Sequence, residues 1–293
     1  MIVVQVSYGL GNQLFQYAAG RRLAQHKGVA LGLDLSYYNQ APERAYRLCH
    51  FNIRERLAAP AEVQRAQGRE GQSLLARAWR QRRRLLPYYR QRLINEQRRF
   101  QYDPHLLHIP AEAYLRGYWQ NEKYFAPIAD TIRAEFTLKE PLTAPSAAAA
   151  RDIDKTDAVG VHVRRGDYAH NPVINRRYGL CAPEYYQACA EQIARQHPRA
   201  VFYLFSDDPK WAAENVDLGP TRVMVDHNGP ERDYEDLHLL SRCRHFIIAN
   251  STFSWWAAWL STGPGKLVYA PKQWRAFDED DSSDVTPPGW QRL

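Results

Sequence analysis

The chain opens in two hydrophobic periods. Met1–Ser7 (MIVVQVS) is a nearly unbroken apolar run of the length of a buried strand. Gly9-Leu10-Gly11-Asn12 interrupts it, and Gln13–Lys27 then carries helical spacing up to Gly28. Val29–Leu35 reads as a second strand, so this segment predicts one β-α-β unit with a glycine turn after its first strand. Between about residues 40 and 150 the period fades into sequence rich in Arg, Tyr and Pro, predicted to be mainly helical with long connections. Leu142–Ala150 (LTAPSAAAA) is small and low in complexity, a hinge or a surface helix. No internal repeat stands out.

Beyond residue 150 the pattern sharpens. Ala158–Val163, Val201–Phe205, Arg222–Val225, His245–Ile248 and Lys266–Tyr269 are short apolar runs, most of them separated by helical stretches such as Pro183–Gln196 and Tyr234–Arg242. Such alternation predicts an α/β chain whose parallel sheet is covered on both faces. Two Rossmann-like halves, 1–150 and 151–293, are expected to face each other across a cleft. Ligands of such sheets bind outside the carboxyl ends of the strands, so the residues just after each strand carry the information.

Composition narrows the class. With 293 residues, 45% apolar and 24% charged, the chain is neither fibrous nor disordered. Cys49, Cys181, Cys189 and Cys243 are scattered, with no metal-type spacing, and are expected to be reduced. No apolar run is long enough to span a bilayer, and nothing resembling a signal peptide precedes Ile2-Val3-Val4, so a cytoplasmic location is expected. The net charge of +7 is concentrated between residues 77 and 99, where nine arginines and one acid, Glu96, give a local +8 and leave the remainder at −1. That block reads either as a solvated helical face or as a contact for an anionic membrane surface, nucleic acid or an acidic glycan. Trp79, Tyr88 and Tyr89 lie nearby, but no nucleic-acid motif does, and no nucleic-acid partner is expected.

The chemistry is concentrated at strand ends. Gly9–Gln13 can turn sharply and present N–H groups to an anion, with Gly11 and Asn12 as candidate contacts, or can be a turn without a ligand. His162 and then Arg164-Arg165-Gly166-Asp167-Tyr168 end the strand that starts at Ala158. Adjacent arginines there are costly unless they meet an anion, and guanidinium forks match phosphate oxygens; the alternative is an ion pair with Asp167. Taken alone, His162 reads as a hydrogen-bonded core histidine. Asp207 and Asp208 come after Phe205 and Ser206, where a carboxylate either binds a nucleoside's ribose or base or caps the helix opening at Pro209. Asn250, Ser251, Thr252 and Ser254 open a further helix as an anion-ready N-terminus, with Trp255, Trp256 and Trp259 read as core. Cationic, acidic and hydroxyl groups at successive strand ends suit a nucleoside diphosphate.

These segments resemble a known family. Val161–Tyr168 (VHVRRGDY) is similar to the HxRRxDY motif of the α-1,2-fucosyltransferases, glycosyltransferase family 11. Gly9–Tyr17 (GLGNQLFQY) resembles that family's N-terminal signature, Asn250–Trp256 (NSTFSWW) its C-terminal one, and Gly117–Phe125 (GYWQNEKYF) a further block. The resemblance runs from residue 1 to about 275. It implies a GT-B-like fold, with 1–150 on the acceptor side and 151–293 holding GDP-fucose. By the same resemblance Arg165 contacts the donor β-phosphate with Arg164 beside it. His162 and one of Asp207 or Asp208 then lie near guanine or ribose, and Ser254 near phosphate.

The activity implied is inverting transfer of L-fucose from GDP-β-L-fucose to the 2-hydroxyl of a terminal β-galactoside. The order of the motifs favours this over an α-1,6-type enzyme; outside catalysis, the rival is a basic protein binding membrane or nucleic acid. Arg165 is expected to stabilise the departing diphosphate without a metal or other cofactor. The acidic segments available, Asp152-Ile153-Asp154 and the run of four acids Asp278–Asp281, look like surface charge. Asp167 is the first candidate for a general base, with an arginine-orienting role as its alternative; Glu122 and Asp34 are further candidates, and a strongly cationic transition state that acidifies the hydroxyl late would need no strong base. A bacterial cytoplasmic enzyme of O-antigen assembly, peripheral to the inner membrane through residues 77–99, completes the expectation.

Overall fold

The computed structural model describes residues 1–69, 85–276 and 281–293. By internal contacts the chain divides into two units, Met1–Thr137 with Ser283–Val285, and Leu138–Ser282 with Thr286–Leu293.

In the first unit, β1 (Ile2–Gln5), α1 (Leu10–Lys27) and β2 (Leu31–Asp34) realise the predicted β-α-β unit. Gly28 ends α1 in the left-handed region at φ 63°, its N–H donating to the carbonyls of Ala24 and Gln25. The segment after residue 40 departs from expectation. α2 (Pro60–Ala66) and α3 (Ala129–Glu135) are short, and β3 (Leu93–Asn95) and β4 (Ala113–Arg116) are strands. They complete a four-stranded parallel sheet in the order β2-β1-β4-β3. Runs of three or four residues are too short to display a period, although Ala113, Tyr114 and Leu115 are buried. A buried ion pair joins the first and last helices of this unit: Arg21 Nε donates to Glu135 Oε1 at 2.9 Å, and the Tyr17 hydroxyl to Oε2 at 2.6 Å.

The second unit begins before residue 150 because α4 (Ala144–Asp154) belongs to it. Thr143, which caps α4, donates through its hydroxyl to Glu235 at 2.7 Å, and Ser146 lies 3.0 Å from His227 Nε2. There follow β5 (Asp157–Val163), α5 (Gly166–His170), α6 (Pro172–Tyr178), α7 (Pro183–Gln196) and β6 (Ala200–Ser206). Then come α8 (Pro209–Asn215), β7 (Arg222–Val225), α9 (Asp233–Ser241), β8 (His245–Ile247), α10 (Thr252–Leu260), β9 (Val268–Ala270) and β10 (Gln291–Arg292). The parallel sheet has the order β10-β9-β8-β5-β6-β7, which read from β7 is the 3-2-1-4-5-6 order of dinucleotide-binding folds.

Alternation along β5 explains its two coats. Val159, Val161 and Val163 pack with Tyr186, Ile193, Phe202 and Leu204 on one face. On the other face Gly160 lies against Leu240 of α9, and the ring of His162 lies 5.2 Å from that of Phe253 in α10. Trp255 and Trp256 are wholly buried, as the core reading required. Among the described residues no helix is long and apolar enough to cross a membrane, and all four cysteines are free.

Candidate functional site

In the second unit the strand order reverses between β5 and β8, so their carboxyl ends mark the ligand-binding crevice of such a sheet. His162, Arg164 and Arg165 lie at one of these ends, and Asn250 to Thr252 at the other. The register explains what joins them. Val163 pairs with Ser206 across β5 and β6, so the two arginines emerge beside the two aspartates.

The arginines differ in what they leave available. Arg164 is locked at both ends of its fork: Nη2 donates to Asp167 Oδ1 at 2.6 Å and Nη1 pairs with Asp207 Oδ2 at 2.7 Å. Burial opposes its charge, but the carboxylates of Asp207 and Asp167 outweigh that and hold its pKa above the ordinary value. Arg165 is held from behind. Its Nε donates to Asp208 Oδ2 at 3.2 Å, its guanidinium carbon lies 3.6 Å from the Trp211 ring centroid, and its backbone N–H donates to Asp207 Oδ1 at 2.7 Å. Among the described residues no protein group accepts from its two terminal nitrogens. A fixed guanidinium with an open fork is what an anion requires.

Gly166 is part of this geometry. A Cβ there would lie 2.4 Å from Asp207 Oδ2, so only glycine lets the carboxylate sit under both arginines. His162 is buried, and burial pushes its pKa down to about 4, with Asp207 opposing and Arg164 adding to the shift. It is therefore neutral at pH 7. Its Nδ1 has no hydrogen-bond partner among the described residues, which a satisfied core histidine would have.

The other expected contacts divide. Thr252 opens α10 half-buried. Ser251 caps that helix, its Oγ accepting from the Phe253 N–H at 3.4 Å. Asn250 is buried and donates from Nδ2 to the Tyr178 carbonyl at 2.8 Å, bracing the loop. Ser254 departs from the phosphate expectation: it has no exposed surface, and its hydroxyl donates to the Ser251 carbonyl at 3.2 Å. Asp208 caps α8 as well as pairing with Arg165, accepting from the Trp211 N–H at 3.3 Å, and Asp207 serves the arginines rather than lying open for a nucleoside. Asp167 is engaged by Arg164, the orienting role that competed with that of a base.

Gly11 and Asn12 belong to the first unit, in the first turn of α1, where Asn12 Oδ1 accepts from Gln120 Nε2 at 2.6 Å. Asp34, also there, is buried and already accepts from Ser36 and from the Tyr114 hydroxyl at 2.6 Å. Glu122 opens a 3₁₀ turn capped by Asn121. Of the arginine block, 77–84 lies outside the described residues; Arg92 pairs with Glu112 at 2.7 Å, and Arg99 lies over the Tyr118 ring at 4.1 Å. Asp152 and Asp154, at the end of α4, pair with Lys155 and Arg242, and Asp278 lies outside the described residues.

One cluster had no sequence signal. Asp157, His197 and His245, at the amino end of β5 and β8, bring ligand-type atoms within 4.8 Å of one another. The Leu267 N–H donates to His245 Nδ1 at 3.1 Å, so the neutral ring carries its proton on Nε2, toward Asp157, and Arg244 already supplies a cation 3.2 Å from that carboxylate. His197 Nδ1 lies 2.9 Å from Asp157 Oδ2, within hydrogen-bond reach, whereas His245 Nε2 stands 3.6 Å from Oδ1, an electrostatic contact rather than a hydrogen bond.

Comparison places this architecture among the glycosyltransferases. A mutant FUT1 of Arabidopsis thaliana, solved in complex with GDP, shares the fold at TM-score 0.50 and 14% identity, over 98% of this chain and 74% of that one. In sequence, the chain is 29% identical to the alpha-1,2-colitosyltransferase of Escherichia coli over 100% of its own length and 99% of the relative's. It is 32% identical to galactoside alpha-(1,2)-fucosyltransferase 1 of Bos taurus over 51% of this chain and 44% of that protein. The class is thus a GT-B-like α/β glycosyltransferase. The match to Glycosyl transferase family 11 spans residues 1–293, and the chain belongs to that family.

Proposed function

We propose that this glycosyltransferase moves L-fucose from GDP-β-L-fucose to the 2-hydroxyl of a terminal β-galactoside, with inversion and without a metal ion. The carrying observation is Arg165, fixed from behind by Asp208 and Trp211 with its terminal nitrogens open among the described residues. Inversion follows from a β-linked donor and an α-linked product in a single displacement. The acceptor oxygen bonds to the anomeric carbon as the bond to the β-phosphate oxygen breaks, and the hydroxyl proton passes to a base or to water. The leaving diphosphate gathers negative charge, and Arg165 stabilises it where it forms. Arg164 and Asp207 are positioning residues in this scheme. Neutral His162 and Thr252 are assigned to the nucleotide.

A second donor is favoured by the full-length likeness to a colitosyltransferase. Colitose lacks the 3-hydroxyl of fucose, so the same diphosphate site would serve either. Incubation with GDP-fucose or GDP-colitose and a panel of β-galactosides, with product linkage read by mass spectrometry and NMR, decides between them. Thermal stabilisation by GDP but not by ADP or RNA is expected; the reverse pattern would favour a basic binding protein. Residues 77–99 are assigned to contact with anionic membrane, and co-sedimentation with anionic liposomes should fall when those arginines become glutamine.

A further inference from the structure

In the first unit β2 lies on one side of β1 and β4 on the other, so the carboxyl ends of β1 and β4 form that sheet's own switch point. The residues standing there are aromatic. Tyr8 comes after β1, Tyr37 after β2 and Tyr118 after β4. The Tyr8 ring centroid is 4.9 Å from that of Tyr37 and 5.2 Å from that of Tyr118.

Tyr8 is 39% exposed, and its backbone has φ 64°, a left-handed conformation that costs a bulky residue about 1–2 kcal/mol. The fold holds it: the Tyr8 carbonyl accepts from Gln13 Nε2 at 2.9 Å and from the Tyr38 hydroxyl at 3.2 Å. Glycine would occupy this position without strain, yet an exposed ring occupies it. Unused polar capacity lies close by in the chain. Gln120, also after β4, is 1% exposed and donates to Asn12, while its Oε1 has no partner among the described residues.

We infer that Tyr8 and Tyr37, backed by Tyr118 whose ring packs between Tyr8 and the Arg99 guanidinium, form the platform on which the acceptor's pyranose ring stacks, with Gln120 Oε1 accepting a hydrogen bond from one of its hydroxyls. A galactose ring offers an apolar C–H face on one side and hydroxyls around its edge. Tyrosines present a large, rigid surface whose negative face attracts polarised C–H groups. An unpaired buried amide oxygen gains most from a hydroxyl donor. Identifying the bound sugar with the acceptor rests on the proposed function; the platform itself does not.

The test is saturation-transfer NMR with methyl β-D-galactoside on wild type, Tyr8→Gly and Tyr8→Phe, beside the acceptor KM and the affinity for GDP. Tyr8→Gly removes the ring and the backbone strain together, so it should melt no lower than wild type. Wild type and Tyr8→Phe should transfer saturation to the sugar ring protons. Tyr8→Gly should lose that signal and raise the acceptor KM about ten-fold or more, equivalent to about 1.4 kcal/mol, with GDP affinity unchanged. Absence of saturation transfer in wild type, or an unchanged signal in Tyr8→Gly, would overturn the inference. Should GDP fail to bind wild type while the sugar signal still depends on Tyr8, the donor assignment falls and the platform stands.

Discussion

Replacing Asp207 with asparagine tests how the phosphate arginines are held. Oδ1 of this carboxylate accepts the Arg165 backbone N–H, and Oδ2 pairs with Arg164, each at 2.7 Å. Asparagine keeps one oxygen and turns its amide nitrogen toward the other donor. A hydrogen bond to a charged group contributes about 1.5–3 kcal/mol. Because the Asp207 side chain is 27% exposed, solvent screening reduces the expected loss of stability to about 1–2 kcal/mol. In a chain of this size that lowers Tm by about 2–8 °C. The effect on transfer should be larger, because the loop that carries Arg165 loses its anchor. Misplacing a reacting group by an ångström costs about 100-fold. Differential scanning fluorimetry reads the first effect and initial rates with GDP-fucose read the second. An Asp207→Asn protein with unchanged kcat would refute the idea that this carboxylate positions Arg165.

Two further outcomes concern buried charge. The unfolded chain protonates His162 near its ordinary 6.5, whereas the folded protein does so only near 4, so stability should be flat above that window and fall as the pH drops through it, by about 3 kcal/mol. Urea unfolding at about pH 7 and about pH 4.5 should show this loss in wild type and a smaller one in His162→Gln; equal losses would contradict it. Glu135→Ala strands the buried Arg21 guanidinium, which should cost about 3–5 kcal/mol and lower Tm by about 6–20 °C. A shift under about 2 °C in the same melting assay would contradict that.

Strands β5 to β9 of the second unit were legible, β5 and β6 as nearly continuous apolar runs, while the two polar residues of β10 gave no signal; α7 matched its predicted bounds because Pro183 and the spacing of Tyr186, Cys189, Ala190 and Ile193 mark it. β3 and β4 were not, since three or four buried residues carry no period of their own. At the site, the residue types were legible and their division of labour was not. Asp207 reaches Arg164 across 43 positions through the β5–β6 register, and the Trp211 ring behind Arg165 is placed by a helix turn, neither of which a one-dimensional pattern displays. Ser254 shares a motif with the half-buried Thr252 but faces inward with Trp255, and helical phase alone did not separate it. The positive φ of Tyr8 was masked by the glycine beside it, which looked like the residue taking the turn.

The most direct measurement is the single-turnover rate of fucosyl transfer by Arg165→Ala, with and without chelator, beside wild type. Arg165→Ala should raise the barrier by about 3 kcal/mol or more, a loss of about 100- to 1,000-fold, while chelator leaves wild type untouched. Transfer at the wild-type rate by Arg165→Ala, or abolition of wild-type transfer by chelator, would contradict the assignment of the leaving group to this guanidinium.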